Sequence, residues 1–334
     1  MFSPNHDDIM FSPNHDDIMF SPNHDDLAHL KIPLKNIQSA TNNFDYENSV
    51  GEDDFGSHYI GQLLLSGEFI DIHVRRWLNK DRDDKILFRD FVEQQFWTEI
   101  SMLSSLKHKN LVSLVGFCDE NDELITVFNR ETRGILNNYL SDPMLLTWVR
   151  RLKICVALAH ALSYIHYDES RNFSVIHQNI YSKTVLLNDN LEPKLSEFGL
   201  SIKIKASERH LSFNISNVSN RQGYTDPTYI ETKSAHHKSD IYSFGILMFE
   251  LLCGRKEVID SNQDNSLFAE IAYKCLEEER SRRPNIDDIV AGLEKDLELA
   301  CENRPILVSK KRQSKHVSLA ECQFISRKRF AVHP

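Results

Sequence analysis

Two unlike halves of the sequence constrain the fold of this chain more than any other feature. Residues from about 47 to 130 are strand-like and are interrupted by one helix, predicted over 94–106 because apolar residues recur there at helical spacing. From about residue 145 onward helical patterns dominate, beginning with a long helix that starts at Trp148. The 334 residues correspond to about two domains, or to one domain with two lobes.

The two ends differ from this body and from each other. Residues 1–27 are three copies of a nine-residue unit, MFSPNHDDI twice and MFSPNHDDL once, and contain six Asp with no Lys or Arg. Each copy is too short and too polar to form a solenoid, so we predict a disordered tail, with phosphorylation at its Ser-Pro steps and weak metal binding at its His-Asp-Asp runs as alternatives. Residues 301–334 hold eight Lys or Arg and two Glu, which predicts a basic, disordered tail. Contact with anionic lipid, a nuclear signal and phosphorylation of Ser314 stay open for that tail.

Charge and cysteine spacing exclude several classes of protein. The net charge is −10, so the body lacks the basic face that a nucleic-acid binder needs. No two of the six cysteines stand close enough for a C-x-x-C or zinc spacing, and we expect free thiols in a reducing compartment. No apolar run approaches the ~18–20 residues that a membrane span needs.

Eight short segments follow one another in a characteristic order. They are VGEDDFG at 50–56, FWTEI at 96–100, LKHKNLVSLVGFC at 106–118, IHQN at 176–179, SEFGL at 196–200, GYTDPTY at 223–229, SDIYSFG at 239–245 and RP at 283–284. This series resembles a protein kinase, specifically the intracellular module of plant receptor-like kinases, over about residues 30–300. The resemblance implies an α+β, bilobal protein-kinase-like fold. It has an N-terminal extension helix in 28–46, a small β-rich N-lobe in 47–130, a larger helical C-lobe in 131–300 and disordered tails.

The glycine-rich loop of this family covers the nucleotide phosphates with backbone amides. Gly51 and Gly56 are kept, but Asp53, followed by Asp54, stands where a glycine permits close approach. A carboxylate beside a triphosphate repels it by about 1 kcal/mol per charge pair at 4 Å even in water. This loop therefore predicts poor nucleotide binding.

The rest of the nucleotide site is altered as well. Arg75 replaces the strand lysine, and we predict that it forms a structural ion pair with Glu99. His58 and His73 replace two small apolar residues of the adenine pocket, and His73 shares a strand face with Arg75. Added volume in a close-fitting apolar pocket opposes binding, although stacking of the imidazoles on adenine is an alternative. Two further residues occupy nucleotide-site positions, Phe128 and Leu186.

The catalytic residues that the resemblance implies are replaced. Asn179 replaces the aspartate that acts as the catalytic base in the family, and a neutral amide cannot accept the hydroxyl proton. Tyr181 stands for a phosphate-contacting lysine, and Thr184 for an asparagine that holds magnesium. Glu197 stands for the magnesium aspartate and is a weak candidate metal ligand. No active catalytic residue is expected.

The structural residues of the family are mostly kept. Four of them match its internal hydrophobic column and a fifth matches the anchor of that column, in the order Leu103, Leu114, His177, Phe198 and Asp240. Thr228 replaces a glutamate that pairs with an arginine. We therefore predict that Arg283 lacks a buried carboxylate partner and that residues 220–230 are loosened.

These substitutions predict a catalytically inactive pseudokinase that acts as a signalling scaffold or as an allosteric partner of active receptor-like kinases. The alternative is a weak or unconventional Ser/Thr kinase that binds one Mg-ATP, because phosphoryl transfer depends more on electrostatics than on the base. We expect no cofactor or only weakly bound Mg-ATP, no nucleic-acid partner and no transmembrane segment. The expected location is cytoplasmic, with recruitment to the plasma membrane through partners.

Overall fold

The computed structural model describes residues 24–53, 55–77, 86–215, 223–254 and 266–302. The predicted repeat tail up to residue 23, the basic tail from residue 303 and Asp54 lie outside the described residues. The described chain divides into two compact units. A β-rich unit contains Phe20–Leu136 and Lys183–Ser201, and a helical unit contains Asn137–Ser182 and the residues from Ile202 onward.

The β-rich unit is built on a five-stranded antiparallel sheet in the order β1-β2-β3-β5-β4. The strands are β1 (Ser49–Asp53), β2 (Gly56–Leu65), β3 (Glu68–Arg76), β4 (Leu114–Cys118) and β5 (Ile125–Asn129). The register places His58 opposite Arg75, and His73 opposite Phe128. Because side chains alternate along a strand, Leu63, Ile72 and Val74 occupy the other face and pack there in an apolar core. A smaller sheet joins β6 (Gly134–Ile135), β8 (Val185–Leu187) and β9 (Pro193–Leu195).

Helices flank the larger sheet. A 3-10 helix at His24–Leu30 starts before the extension predicted in 28–46, and α1 lies within that extension at Leu34–Ala40. The described residues therefore include the end of the third copy of the nine-residue repeat, where Leu27 is buried. Helix α2 spans Ile86–Ser105 and starts eight residues before the predicted start, because Val92 extends its buried stripe toward the N-terminus.

The helical unit is dominated by long helices around a buried apolar core. Its helices are α3 (Trp148–Tyr167), α4 (Pro227–Thr232), α5 (His237–Cys253), α6 (Ser266–Cys275) and α7 (Ile286–Glu302). Two-stranded sheets join β7 (Phe173–Ile176) to β10 (Ile202–Lys205), and β11 (Phe213–Asn214) to β12 (Ser234–Ala235). None of the described helices is both long and apolar enough to cross a membrane. A β-rich unit and a helical unit are the parts of the predicted α+β, bilobal kinase-like fold.

The prediction that Arg283 lacks a buried carboxylate is wrong. Its Nη2 donates to Asp226 Oδ1 at 2.8 Å, and both side chains are fully buried. Arg280 Nε donates to the other Asp226 oxygen at 3.1 Å. Asp226 also accepts from the Thr228 backbone amide and begins α4. Burial raises the pKa of Asp226, but the arginines hold it below its ordinary value. Asp226, two residues before Thr228, therefore supplies the carboxylate of the ion pair with Arg283.

Candidate functional site

The candidate site is a polar network on one face of the β-rich sheet. Asp53 ends β1, and its carboxylate accepts from Arg75 Nη2 at 2.5 Å and from the Phe55 backbone amide at 2.7 Å. The same carboxylate lies 3.1 Å from His58 Nε2. Gly56 allows the close return of the strand, because a Cβ there would lie 2.0 Å from the Arg76 carbonyl oxygen. The sequence predicts that Asp53 lies where nucleotide phosphates would bind. The structure adds that Asp53 bonds to Arg75, which replaces the strand lysine of the family.

The electrostatics of Asp53 favour its charged form. Burial raises the pKa of Asp53, but the hydrogen bond with His58 and the charge of Arg75 outweigh it and hold the pKa well below its usual range. The carboxylate is therefore ionised at neutral pH and gives Arg75 a full counter-charge. The side chain of Asp53 is 30% exposed, whereas that of Arg75 is 5% exposed.

The two histidines form a parallel, hydrogen-bonded pair beside this carboxylate. Their rings are parallel with centroids 5.1 Å apart, and His58 Nδ1 lies 3.1 Å from His73 Nε2, so one imidazole donates to the other. The next ring is Phe128, centred 6.2 Å from His73. Burial and the nearby charges of His58 and Arg75 lower the pKa of His73 to about 3. His73 is consequently neutral, and a continuous polar chain runs from Arg75 through Asp53 and His58 to His73.

Glu99 is the more distant partner of Arg75. Its Oε2 lies 3.9 Å from Arg75 Nη1, and its Oε1 accepts from the Phe198 backbone amide at 3.1 Å. Burial raises the pKa of Glu99 to about 7, against the lowering effect of Arg75. The guanidinium also lies over the Trp77 ring, 3.9 Å from its centroid. The Arg75–Glu99 pair predicted from the sequence is thus a longer contact than the Arg75–Asp53 pair, which the sequence reasoning missed. The sequence signal available for the Arg75–Asp53 pair was strand alternation, which could have been extended from the face of His58 and Arg75 to the neighbouring strand β1.

The remaining nucleotide-site residues lie in the same unit. Gly51 has a positive φ of 135°, a conformation that favours glycine. Leu186 lies in β8, opposite Lys194 of β9. Thr184 is fully buried, and its carbonyl accepts from the Ser196 amide and hydroxyl, both at 2.9 Å. Glu197 has a left-handed backbone conformation, with φ 63° and ψ 60°.

The catalytic-loop residues Asn179 and Tyr181 belong to the helical unit. The Asn179 amide donates to His177 Nδ1 at 3.2 Å. Tyr181 packs with its ring 5.5 Å from that of Tyr224, in a cluster with Ile246. Among the described residues, no group of three or more His, Cys, Asp and Glu side chains is arranged to hold a metal ion.

Four of the five column residues are buried in their own units, and Leu114 is partly buried. Leu103 and Phe198 are buried in the β-rich unit, where Leu114 packs beside an aromatic cluster. In the helical unit, Asp240 accepts from the backbone amides of His177 at 2.7 Å and Gln178 at 2.8 Å.

The same carboxylate carries a buried partner that sequence reasoning missed. His166 Nε2 lies 2.9 Å from Asp240 Oδ2, and both side chains are buried. Burial lowers the pKa of His166 to about 3, so it is neutral. Its position near the end of α3, on the face of that helix with Leu162, was the only sequence signal for it.

Comparison with known proteins gives the family. Residues 44–271 match the family described as protein tyrosine and serine/threonine kinase. The chain is 33% identical over 309 residues to the receptor-like protein kinase HERK 1 of Arabidopsis thaliana, which covers 81% of this chain and 35% of that protein. Two probable receptor-like protein kinases of the same plant are 33% and 31% identical, covering 80% and 86% of this chain and 35% and 37% of their own lengths.

The chain therefore spans about a third of the length of the curated relatives it matches. The matched residues include every segment of the nucleotide site described above and extend through α5 into α6. From this match and the architecture, the chain belongs to the protein kinase family, and its kinase module is of the plant receptor-like type.

Proposed function

We propose that this chain is a catalytically inactive kinase-fold protein that acts as a signalling scaffold or as an allosteric partner of active kinases. The observation that carries the proposal is the 2.5 Å contact between Arg75 Nη2 and the Asp53 carboxylate. In the family, the residue at the position of Arg75 binds nucleotide phosphate. Here that charge is paired with a carboxylate of the same chain.

A nucleotide would have to displace Asp53 from Arg75 or bind beside it. Displacement removes a charge-assisted hydrogen bond of the kind that contributes ~1.5–3 kcal/mol. Binding beside it places phosphate next to a carboxylate that is ionised at neutral pH, because the pKa of Asp53 is well below its usual range. Both routes lower the affinity for ATP.

The histidine pair opposes the adenine end in the same way. The two rings are parallel and hydrogen-bonded, and His73 is neutral because burial lowers its pKa to about 3. Together they fill the face on which the family has two small apolar side chains. The histidines therefore support exclusion of nucleotide over stacking on it.

The residues at the reaction centre support inactivity independently of nucleotide affinity. Asn179 has no proton-accepting group of the required basicity, and Tyr181 carries no positive charge at neutral pH. Each ~1.4 kcal/mol of lost transition-state stabilisation slows the reaction tenfold, so the loss of several such contacts leaves no useful rate of phosphoryl transfer.

We infer that the partners are active receptor-like kinases, because the chain keeps the fold of that family while its phosphate site is altered. The proposed location is the cytoplasm, with recruitment to the plasma membrane by such a partner. The direct test measures phosphorylation by a purified receptor-like kinase domain with and without this chain. A scaffold or allosteric partner changes that rate, and an unchanged rate together with no detectable complex counts against this role.

The test of nucleotide exclusion is a thermal shift with millimolar ATP, with and without magnesium. Wild-type protein is expected to show no shift, and Asp53→Asn is expected to show one because Arg75 is released. Asp71→Asn is the matched control, since Asp71 lies exposed on β3 and its side chain accepts from Gln62 Nε2 at 3.0 Å. A magnesium-dependent shift in wild-type protein contradicts the proposal.

The second candidate is a weak or unconventional Ser/Thr kinase that binds one Mg-ATP. The contact between Arg75 and Glu99 at 3.9 Å favours it, because the family uses this ion pair in the active site. Binding at 100 times Kd would stabilise the protein by about 2.7 kcal/mol. Phosphate transfer that disappears in Glu197→Ala would establish this candidate.

A further inference from the structure

One aromatic ring of the helical unit lies against two positive charges. Phe173 is the first residue of β7, and its ring centroid is 4.8 Å from the guanidinium carbon of Arg171 and 3.9 Å from Lys203 Nζ. The pairing of β7 with β10 places Lys205 opposite Phe173, so Lys203 reaches the ring diagonally across the two strands. Each cation–π contact is favourable by itself, but together they hold two like charges beside one ring.

The guanidinium of Arg171 is fixed by the end of α3. Its Nε donates to Asp168 Oδ2 at 3.2 Å, and its Nη2 donates to the carbonyl oxygen of Tyr164. The guanidinium carbon also lies 4.4 Å from the centre of the Tyr164 ring, and the side chain is only 11% exposed. Asp168 accepts in addition from the backbone amide and hydroxyl of Ser170, at 3.0 and 2.7 Å. Arg171 is therefore a cation whose position is set by the fold.

Lys203 is the cation of this cluster that a ligand can neutralise. It is half-buried on β10, and among the described residues no carboxylate pairs with its ammonium. Burial lowers the pKa of Lys203, and the charge of Arg171 lowers it further. The electrostatic potential at the ammonium is therefore positive even though Asp168 lies beside Arg171. An anion bound at the ammonium would offset the repulsion between the two cations.

We propose that Lys203 and Arg171, held against Phe173, form a binding site for a phosphoryl group. The group is carried by a phosphorylated serine or threonine of a protein, or is free phosphate. Lys203 donates to its oxygens as a compact point charge, and Arg171 adds a second, fixed positive charge.

The charge of the ligand decides between a phosphoryl group and a carboxylate. A phosphoryl group carries about −1.5 to −2 charges at pH 7, whereas a carboxylate carries one. Coulomb energy is proportional to charge, so the phosphoryl group gains more from a site with two cations. All residues of this site belong to the helical unit, whereas Asp53 and Arg75 belong to the β-rich unit. The inference therefore does not depend on nucleotide exclusion.

The first test measures the melting temperature of the full chain in phosphate and in chloride at equal ionic strength, without nucleotide. Phosphate stabilises proteins generally, so the quantity to compare is its effect on wild-type protein and on Lys203→Met. We expect wild-type protein to gain about 2–4 °C more at ten times Kd, because the methionine keeps the alkyl packing but loses the charge. Lys203→Arg should retain the gain.

Lys274→Met is the matched control for this test. It removes the same charge from the helical unit, on α6, where Lys274 pairs with Glu270 at 2.8 Å. The control should respond to phosphate as wild-type protein does. An equal response of wild-type protein and Lys203→Met overturns the proposal, as does a loss of the response in Lys274→Met to the same extent as in Lys203→Met.

The second test distinguishes the two sources of the phosphoryl group. A fluorescein-labelled peptide with one phosphoserine among neutral residues is titrated with the protein and followed by fluorescence anisotropy, with inorganic phosphate as competitor. Binding of the peptide at least about tenfold tighter than that of phosphate assigns the site to phosphorylated proteins, and equal binding assigns it to free phosphate. The same peptide with glutamate in place of phosphoserine is the comparison. Equally tight binding of the glutamate peptide would overturn the preference for a phosphoryl group.

Discussion

The carboxylates of the two units have different surroundings. In the helical unit, Asp226 and Asp240 are fully buried, and each is bonded by several groups of the chain. In the β-rich unit, Asp53 is partly exposed and sits at the end of a strand, where the kinase family has a glycine. The first two hold elements of the fold together, whereas Asp53 lies in the candidate site beside Arg75. Loss of Asp53 should therefore cost less stability than loss of either buried carboxylate.

The largest effect is expected for Asp226→Ala. It leaves the fully buried Arg283 without its carboxylate, and breaking a buried pair by removing one partner costs about 3–5 kcal/mol. The measurement is the free energy of unfolding from urea denaturation. Glu279→Ala removes a surface partner of Arg282 and serves as the control, with an expected cost below about 1 kcal/mol. Equal losses for the two variants would show that the Asp226 network does not hold the helical unit.

A smaller effect is expected for Asp53→Ala. It removes the closest partner of Arg75, but Asp53 is partly exposed and Glu99 remains 3.9 Å from the guanidinium. The expected loss is about 1–2 kcal/mol of unfolding free energy. A double-mutant cycle with Arg75→Met measures the coupling between the two side chains. A loss as large as that of Asp226→Ala would contradict the distinction between the units.

The pH dependence should also differ between the units. In the helical unit, burial lowers the pKa of His166 to about 3 and that of His236 to about 4. Between those values and about 6.5 the unfolded state binds more protons, so acidification from pH 7 to 5 destabilises this unit. His73 acts in the same direction in the β-rich unit, since its pKa is lowered to about 3.

Glu99 acts in the opposite direction. Its pKa is raised to about 7, so its contribution is present below about 4.5, its unfolded value, and is lost as pH rises through 7. At α5, burial lowers the pKa of His237 as well, whereas it raises the pKa of Asp240, so three histidines oppose one carboxylate there. Acidification should therefore accelerate hydrogen exchange more in α5 than in β3. The measurement is exchange at pH 7 and pH 5 with rates corrected for intrinsic chemistry. Equal acceleration in both elements would contradict the assignment.

The smallest effect is expected for Arg75→Lys. The charge is kept, while the planar fork and its contact with the Trp77 ring are lost, which costs about 0.5–1 kcal/mol. Because Asp53 still pairs with the ammonium, the variant should not gain a thermal shift with Mg-ATP. The comparison is the double variant Arg75→Lys/Asp53→Gly, in which no carboxylate at position 53 pairs with the lysine. Nucleotide binding by Arg75→Lys alone would show that Asp53 does not block the site.

The order of short segments predicts the family and the α+β architecture, because each segment marks a fixed place in that fold. Strand alternation also places His73 and Arg75 on one face. Pairing between distant side chains was harder to foresee. Asp53 was interpreted through its repulsion of phosphate, whereas in the structure it is first the counter-charge of Arg75. Leu27 was assigned to a polar tail because its repeat unit is polar, and only the tertiary cluster on α2 accounts for its burial.

The ion pair of Asp226 with Arg283 has a consequence for how relatives of this chain are compared. A comparison position by position finds threonine at 228, where the family has glutamate, and so predicts that Arg283 has lost its carboxylate partner. The carboxylate is nevertheless present one half-turn earlier, and it serves Arg280 as well. At this corner a single carboxylate is shared by two arginines. A substitution here should be judged by the summed charge of the cluster: Asp226 supplies one negative charge against the two positive charges of Arg280 and Arg283, so a second acidic residue at position 228 would bring the sum to zero.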